Sequence, residues 1–261
     1  MESFTLSEIA RELSIGLGST HALLEAMTAA GYLVRHPSHK TYRLGPSTIA
    51  IGHAALESHP VIEVAREEMR RIAEELDLEC LAAAPIGDEL VVVARAGRAH
   101  PGRPVVRVGE RLALVPPLGT MFVAWSSEAV IEQWLARADP SESSDDTARY
   151  RRVLESARAL GYSVGIQVEN GNLPVPPVRD DATQLDLDPE LAYRVNYIAV
   201  SVFDQRDDVA LVLNLDGFTT SLPPAQITKL GEHLLHTAQV ITRGIHGRFP
   251  EIGRANLPVP D

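Results

Sequence analysis

The sequence predicts an α+β protein in two parts: a short N-terminal winged helix-turn-helix, and a larger domain with a mainly antiparallel sheet flanked by helices. Two observations lead to this fold class. Residues 1–45 fit two short helices followed by a hairpin, which is the skeleton of a winged helix-turn-helix. After residue 60, strand hairpins alternate with amphipathic helices, a pattern typical of an α+β domain.

The two N-terminal helices are predicted from a capping signal and from helical spacing. Thr5 and Glu8 have the spacing of a capping box, in which a hydroxyl and a carboxylate satisfy free amides at a helix start. The glycine-containing stretch 14–18 then breaks the helix. A second helix is predicted from near Ser19 to Gly31. Its buried face is predicted to hold Thr20, Leu23, Leu24 and Met27.

A hairpin and a connecting helix follow. Residues 32–44 fit two strands around the polar turn 37–40. After Gly45-Pro46, residues 47–59 have an apolar stripe at helical spacing. We therefore expect three segments: a winged helix-turn-helix at 1–45, a connecting helix at 46–59, and the larger domain at 60–261.

The elements of the larger domain are predicted from alternation and helical spacing. Helices are expected at 61–76, 118–125, 127–136, 147–160 and 223–246. Strands are expected at 81–84, 90–94, 103–108, 162–168, 197–203 and 209–215. Gly87-Asp88 is a typical hairpin turn between the first two strands. The stretch 139–146 is predicted to be a solvated loop.

Composition limits the class of protein. The chain has 261 residues, 45% of them hydrophobic, and a net charge of −11, as expected of a globular protein and not a disordered one. It has no apolar run long enough to span a membrane and no basic and apolar leader. A single cysteine, Cys80, fits a reducing compartment. We therefore expect a cytoplasmic protein without membrane contact.

Several stretches, taken in order, resemble the IclR-type transcription regulators. They are 5–13, 19–24, 31–34 with 42–45, 108–112, 118–119, 160–162 and 209–217. The resemblance implies a winged helix that binds an operator in double-stranded DNA, a linker helix used in dimerisation, and an effector-binding domain related to GAF and PAS folds. It also implies homodimers, often paired into tetramers. Two features depart from the family pattern. Only four residues precede Thr5, so the first helix that the family usually has is expected to be missing or truncated, and 169–196 is longer and richer in proline and aspartate.

The DNA-reading prediction depends on the second helix and the wing. A recognition helix presents its outward face, mainly near its N-terminus, to base edges. The residues predicted to contact DNA are Ser7, Ser19, Thr20, His21, Arg35, His39, Lys40 and Arg43. Residues 1–45 hold four Lys or Arg against four Glu, so positive charge comes mainly from the wing. The alternative is a ligand-binding or dimerisation module that has lost DNA affinity.

The resemblance places a small-molecule effector between the sheet and the loop that enters a helix near Gly119. The residues predicted to bind it are Pro117, Leu118, Gly119, Met121, Tyr197, Ser201, Asn214 and Asp216. Amides at that helix start could hold a carboxylate. Asp216, in contrast, disfavours an anionic effector, unless Asp216-Gly217 is only a turn.

Catalytic and metal-binding signals are weak. Cys80 lies on an apolar strand, where a buried cysteine is usually an inert small hydrophobe. The histidine pairs 36/39 and 233/236 have no carboxylate or cysteine partners at ligand spacing. We therefore expect neither enzyme activity nor a cofactor nor a metal site.

Overall fold

The computed structural model describes residues 3–99, 105–138, 144–166 and 187–252, without the side chains of 144–146. The chain divides into two compact units, Met1–Pro60 and Val61–Asp261. The division of the first unit into a DNA-binding domain at 1–45 and a linker helix at 46–59 stays a prediction. Residues 100–104, 139–143 and 167–186 lie outside the described residues. They include parts of the strands predicted at 103–108 and 162–168, of the loop predicted at 139–146, and of the segment 169–196.

The first unit combines three helices with a small antiparallel sheet. Its elements are β1 (Phe4–Thr5), α1 (Leu6–Glu12), α2 (Leu17–Ala29), β2 (Leu33–Arg35), β3 (Thr41–Leu44) and α3 (Ser47–Ser58). The strands lie in the order β1-β3-β2. Ala10, Leu24 and Tyr42 are buried between the helices and this sheet, which makes the unit a winged helix-turn-helix.

The capping box at the start of α1 is confirmed. The Glu8 amide donates to the Thr5 hydroxyl at 3.3 Å, and the Thr5 amide donates to a Glu8 carboxylate oxygen at 2.7 Å. The Thr5 hydroxyl also donates to this carboxylate, at 2.8 Å, and the two donors of Thr5, the amide first, lower the pKa of Glu8 because they favour its ionised form. Two donors at the helix start are thereby satisfied.

Two expectations about the second helix are wrong. α2 begins at Leu17, with Gly16 as its N-cap, so Gly18 lies within the helix instead of in the preceding turn. Leu23 is 46% exposed, whereas Thr20 and Leu24, one turn apart, are buried. The buried stripe is narrow because α1 and β2 pack against one side of α2.

The second unit is a six-stranded antiparallel sheet between two layers of helices. Its helices are α4 (Pro60–Leu76), α5 (Thr120–Val123), α6 (Glu128–Leu135), α7 (Ser144–Leu160) and α8 (Pro224–Gly244). Its strands are β4 (Glu79–Ile86), β5 (Glu89–Ala96), β6 (Arg111–Ala113), β7 (Ser163–Ile166), β8 (Val195–Phe203) and β9 (Val209–Asp216), in the order β6-β5-β4-β9-β8-β7. The predicted α+β class with a mainly antiparallel sheet is confirmed.

Each face of the sheet has its own apolar core. On one face, residues of α4 and α8 pack on alternate strand residues such as Cys80 and Ile198. On the opposite face, residues of α5, α6 and α7 pack on Ala199 and Val212. The alternation of strand side chains therefore assigns each strand residue to one of the two cores.

Two predicted elements of the second unit are corrected. Residues 105–108 are not a strand; the chain turns where the Glu110 amide donates to the Arg107 carbonyl at 3.0 Å, and the strand comes later, as β6. The helix predicted at 118–125 is confined to the single turn of α5. Gly119 has a left-handed backbone, with φ of 88°, which a continuing helix cannot include.

Two tryptophans in the α5–α6 region have different polar surroundings. The Trp134 indole N–H donates to the Leu118 carbonyl at 3.0 Å, and its ring packs edge-on against Tyr150. The Trp125 ring packs edge-on against Phe203, and its buried N–H has no acceptor among the described residues. Trp134 therefore links α6 to the loop before α5, whereas Trp125 contributes apolar contact.

We expect Trp134→Phe to destabilise the protein more than Trp125→Phe. Both lose part of an indole, but only the first leaves a carbonyl without its donor, at a cost of about 1–3 kcal/mol in the free energy of unfolding. Urea denaturation followed by far-UV circular dichroism measures the difference. Equal losses in the two variants would contradict the structural role given to the Trp134 hydrogen bond.

Candidate functional site

The start of α2 presents small polar side chains to solvent. Ser19 and His21 are exposed, as is Ser7 on α1. The His21 ring lies 3.6 Å from the Glu25 carboxylate one turn later. Thr20 is different: it is fully buried, and its hydroxyl donates to the Gly16 carbonyl at 3.1 Å. Burial therefore removes Thr20 from the residues predicted to contact DNA.

The wing is a tight hairpin whose turn is held by a histidine. The amides of Ser38 and His39 both donate to the Nδ1 atom of His36, at 3.3 and 3.1 Å. Lys40 closes the turn with a left-handed backbone, with φ of 54°, and its side chain is exposed. The tip of the wing thus presents a cation on a fixed loop.

The two wing arginines lie on opposite faces of the hairpin. The register pairs Arg35 with Tyr42, and Arg43 with Val34. The Arg35 guanidinium lies 5.8 Å from the centre of the Tyr42 ring, whereas Arg43 is exposed on the other face. The structure therefore does not bring all the predicted basic residues to one surface.

In the second unit, four of the residues predicted to bind an effector share one face of the sheet. The β8–β9 register pairs Tyr197 with Asp216, Asn214 with Ala199, and Ser201 with Val212. Because directly paired residues of antiparallel strands point to the same side, Tyr197, Ser201, Asn214 and Asp216 all face α5–α7. This confirms their common side; their role in binding stays a prediction.

Within this group, three residues are accessible and one is not. Tyr197, Asn214 and Asp216 are half-buried. Ser201 is 1% exposed, and its hydroxyl donates to the Met121 carbonyl at 2.6 Å. Met121 is 2% exposed and packs in the core. Burial thus gives Ser201 and Met121 a structural role, in attaching α5 to the sheet, and not the contact with an effector that the sequence predicted.

The loop before α5 is held by hydrogen bonds from side chains to its backbone carbonyls. The Pro117 carbonyl accepts from the Thr120 hydroxyl at 2.8 Å, and the Leu118 carbonyl accepts from Trp134. The Gly119 backbone has φ of 88°, a left-handed conformation that residues with a side chain rarely adopt, so this position favours glycine. Since α5 has a single turn, its dipole is too small to hold a carboxylate as the sequence suggested. An effector contact at 117–119 stays a prediction.

Sequence reasoning missed two charged residues on the same face. Glu79 of β4 pairs with Asp216 across the strands, and Arg95 of β5 pairs with Leu81. The Arg95 guanidinium and the Glu79 carboxylate form an ion pair, with side chains 25% and 9% exposed. The available signal was a charged residue close to each predicted apolar strand, Glu79 before 81–84 and Arg95 after 90–94. We define the polar face as Glu79, Arg95, Tyr197, Asn214 and Asp216.

Tyr197 occupies a fixed place beside the polar face. A Cβ at Gly165 of β7 would lie 2.3 Å from the Tyr197 Cε1 atom, so the ring covers the Gly165 backbone. Tyr197 and Gly165 are also directly paired in the β7–β8 register. The absence of a side chain at Gly165 therefore leaves room for the ring.

Cys80 lies next to Glu79 in sequence but points to the other core. Burial raises the pKa of its thiol, and the nearby carboxylates of Asp216 and Glu79 raise it further. A thiol with a raised pKa is protonated at neutral pH, and the protonated form is a poor nucleophile. The geometry therefore gives Cys80 the role of a small apolar core residue.

We expect Cys80 to resist alkylation in the folded protein. Incubation with iodoacetamide at neutral pH should leave the intact mass unchanged, because the thiol is buried and protonated. The same treatment in denaturing urea should add one carbamidomethyl group. Native labelling as fast as that of the denatured chain would show that the thiol is accessible and ionised.

The described parts of the chain contain no group of three or more His, Cys, Asp or Glu arranged to hold a metal. No helix in those parts is long and apolar enough to cross a membrane.

Comparison with known proteins supports both units. The family model described as "Bacterial transcriptional regulator IclR C-terminal" matches residues 53–170. The Pca regulon regulatory protein of Pseudomonas putida is 24% identical over 81% of this chain and 66% of its own length. The HTH-type transcriptional regulator XynR of Escherichia coli is 22% identical over 92% of this chain and 88% of its own length. The resemblance to IclR-type regulators is confirmed.

A solved structure shows the same fold. An IclR homologue of Microbacterium hydrocarbonoxydans, crystallised in complex with 4-hydroxybenzoate, matches 94% of this chain and 92% of its own length, with a TM-score of 0.67 and 20% identity. The winged helix and the sheet of the second unit therefore both have counterparts in regulators of known fold.

Proposed function

We propose that this IclR-type chain is a ligand-responsive DNA-binding transcription regulator. The observation that carries the proposal is the joining, in one chain, of a winged helix with an exposed reading surface to a separate unit with a half-buried polar face. The relatives, which are named as regulators, support the same function. In this proposal, the first unit binds an operator in double-stranded DNA and the second binds a small effector.

The reading surface is small and has specific contributors. The N-terminus of α2 would enter the major groove, where Ser19 and His21 can donate to bases or phosphates. Lys40 and Arg43 on the wing would contact the backbone, because both are exposed cations. Ser7 and His39, also exposed, complete the proposed set, whereas Arg35 lies on the face of the wing opposite to Arg43. No catalytic step enters this function.

A single winged helix-turn-helix unit has little electrostatic attraction for DNA. Residues 1–45 carry four cations against four carboxylates, and α2 itself has no Lys or Arg. Phosphate contacts supply most of the nonspecific affinity of DNA-binding proteins. We therefore propose that operator binding requires the winged helix-turn-helix units of two protomers, because two units double the phosphate contacts in each complex.

The helix α3 supports a dimer. None of its residues is buried in the described chain, although Ile49 and Ile51 are large and apolar, at 73% and 56% exposed. The two side chains are two residues apart and so lie on different sides of the helix, and packing against another element would stabilise these exposed apolar groups. A second copy of the chain, presenting the same surface, is the partner that we propose; pairing of such dimers into tetramers is a further proposal.

We expect Ile49→Glu to weaken the dimer and Ile86→Glu to leave it intact. Ile86 is also exposed, at 50%, but lies at the end of β4, far along the chain from α3. Sedimentation velocity over a dilution series should show dissociation at higher protein concentration for Ile49→Glu alone. Unchanged dissociation in that variant would contradict the role given to α3.

In the proposed mechanism, the effector acts by changing the dimer. A ligand shifts a conformational equilibrium only by its difference in affinity for the two states. An effector on the polar face would favour one arrangement of the dimer and so change the spacing of the two α2 helices. Half-sites about one helical turn of DNA apart would suit such a dimer.

The direct test is selection of DNA from random duplexes by the purified full chain. We expect enrichment of an inverted repeat with half-sites about one turn apart. Lys40→Gly should weaken binding to the selected site and to unrelated duplexes alike. It should also lower the slope of log affinity against log salt concentration by about one unit for each protomer. Glycine is the appropriate replacement because residue 40 has a left-handed backbone.

Lys229→Ala is the matched control, since it removes an exposed lysine from α8 in the other unit. It should leave affinity and salt slope unchanged. No enrichment of any duplex at low salt, in the presence and absence of cell extract, would overturn the proposed function.

That outcome would favour a second candidate, a ligand-binding or dimerisation module without DNA affinity. The observation in its favour is the outer surface of α2, where Leu17 and Leu23 are 56% and 46% exposed. Apolar residues in these positions suit a protein contact better than a phosphate backbone. A dimer that binds effector but no duplex would establish it.

A further inference from the structure

The polar face places two carboxylates side by side. Glu79 and Asp216 are directly paired across β4 and β9, so their Cβ atoms are about 5 Å apart. The Glu79 side chain is 9% exposed, and Asp216 is half-buried. The raised pKa of Cys80, which responds to both groups, is consistent with this proximity. An effector on this face would therefore meet two neighbouring carboxylates.

The cation on these strands is already engaged. Arg95 forms its ion pair with Glu79, and its side chain is 25% exposed. The polar face thus has two carboxylates and one guanidinium among the described residues. A carboxylate effector would bring a third negative charge into surroundings where charge is poorly screened. Repulsion between that charge and the two carboxylates counts against an anion.

Asp216 can accept hydrogen bonds from a ligand as well as from the protein. An ionised carboxylate has two oxygens with about four lone-pair positions, so its existing interactions do not use up its capacity. Its neighbours on the face, Tyr197 and Asn214, also offer oxygen acceptors. A ligand with O–H or N–H groups would satisfy these acceptors, and hydrogen bonds to a charged acceptor are the stronger kind.

We propose that the effector presents a hydrogen-bond donor, a hydroxyl or an amine, to Asp216, and that the polar face rejects the carboxylate of the same skeleton. Amino alcohols and polyols, with or without an aromatic ring, are the chemical class that fits. The inference rests on the proposed function, because it takes the polar face as the site where the effector binds.

The test compares compounds that differ in one group. Because a similar protein was crystallised with 4-hydroxybenzoate, the first set is 4-hydroxybenzyl alcohol, 4-hydroxybenzylamine and 4-hydroxybenzoate. The second set is glycerol, 3-amino-1,2-propanediol and glycerate. Thermal denaturation of the full chain with each compound, followed by calorimetric titration of those that raise Tm, gives the ranking. We expect the alcohol or the amine to bind at least tenfold more tightly than the carboxylate.

Asp216→Asn identifies the group responsible. This nearly isosteric change should weaken the alcohol or amine about tenfold or more, because it replaces a charged acceptor by a neutral one. It should also narrow the difference from the carboxylate. Asp207→Asn is the matched control: Asp207 lies in the exposed β8–β9 turn with a left-handed backbone, which asparagine tolerates. It should change neither affinity.

The ranking on the unaltered protein decides the proposal even if Asp216→Asn fails to fold. A carboxylate that binds as tightly as its alcohol and amine overturns it, and so does the absence of any Tm shift with all four alcohols and amines. DNA selection with the same preparation separates the two proposals. A protein that enriches an operator but prefers carboxylates overturns this inference alone.

Discussion

The register between β4, β9 and β8 is the constraint on which the second unit depends. Cys80, Leu215 and Ile198 form one row across these strands, and all three are 0% exposed. Strand side chains alternate, so a slip of one residue would exchange the two faces. It would carry Asp216 into the apolar core beneath α4 and α8, where a carboxylate is costly. Apolar packing on one face thus keeps polar groups on the other.

The β8–β9 turn stabilises that register. The Asp204 carboxylate accepts from the Arg206 and Asp208 amides at 2.7 and 3.1 Å. At the end of β8, the Phe203 amide donates to the Thr242 hydroxyl of α8 at 3.2 Å. The turn and the covering helix therefore hold the same strand end, and a slip in register would break both sets of contacts.

Sequence reasoning succeeded where a feature depends on near neighbours. The capping box needs only Thr5 and Glu8, three residues apart, and the shared side of Tyr197 and Asp216 follows from the alternation of two strands joined by a short turn. Both could be predicted because the periodicity of the backbone decides them.

The remaining features depend on contacts between distant segments. Glu79 meets Asp216 only because β4 pairs with β9, and no local pattern specifies that partner. The exposure of Leu23 likewise depends on which elements cover α2. Gly119 interrupts a stretch with helical spacing, in a loop that is fixed by the hydrogen bond from the distant Trp134 to the Leu118 carbonyl. These facts are properties of tertiary packing, and a single sequence does not reveal its partners.

The charge distribution bears on how such a protein could be regulated. Residues 1–45 are balanced, so the whole excess of negative charge, −11, lies after residue 45. A strongly basic reader would hold DNA whatever the state of the second unit, because phosphate contacts alone would dominate the affinity. Coupling between two sites is typically worth only about 1–3 kcal/mol. If the first unit is attracted to DNA only weakly, a coupling of that size is enough to change the fraction of the protein that is bound to DNA.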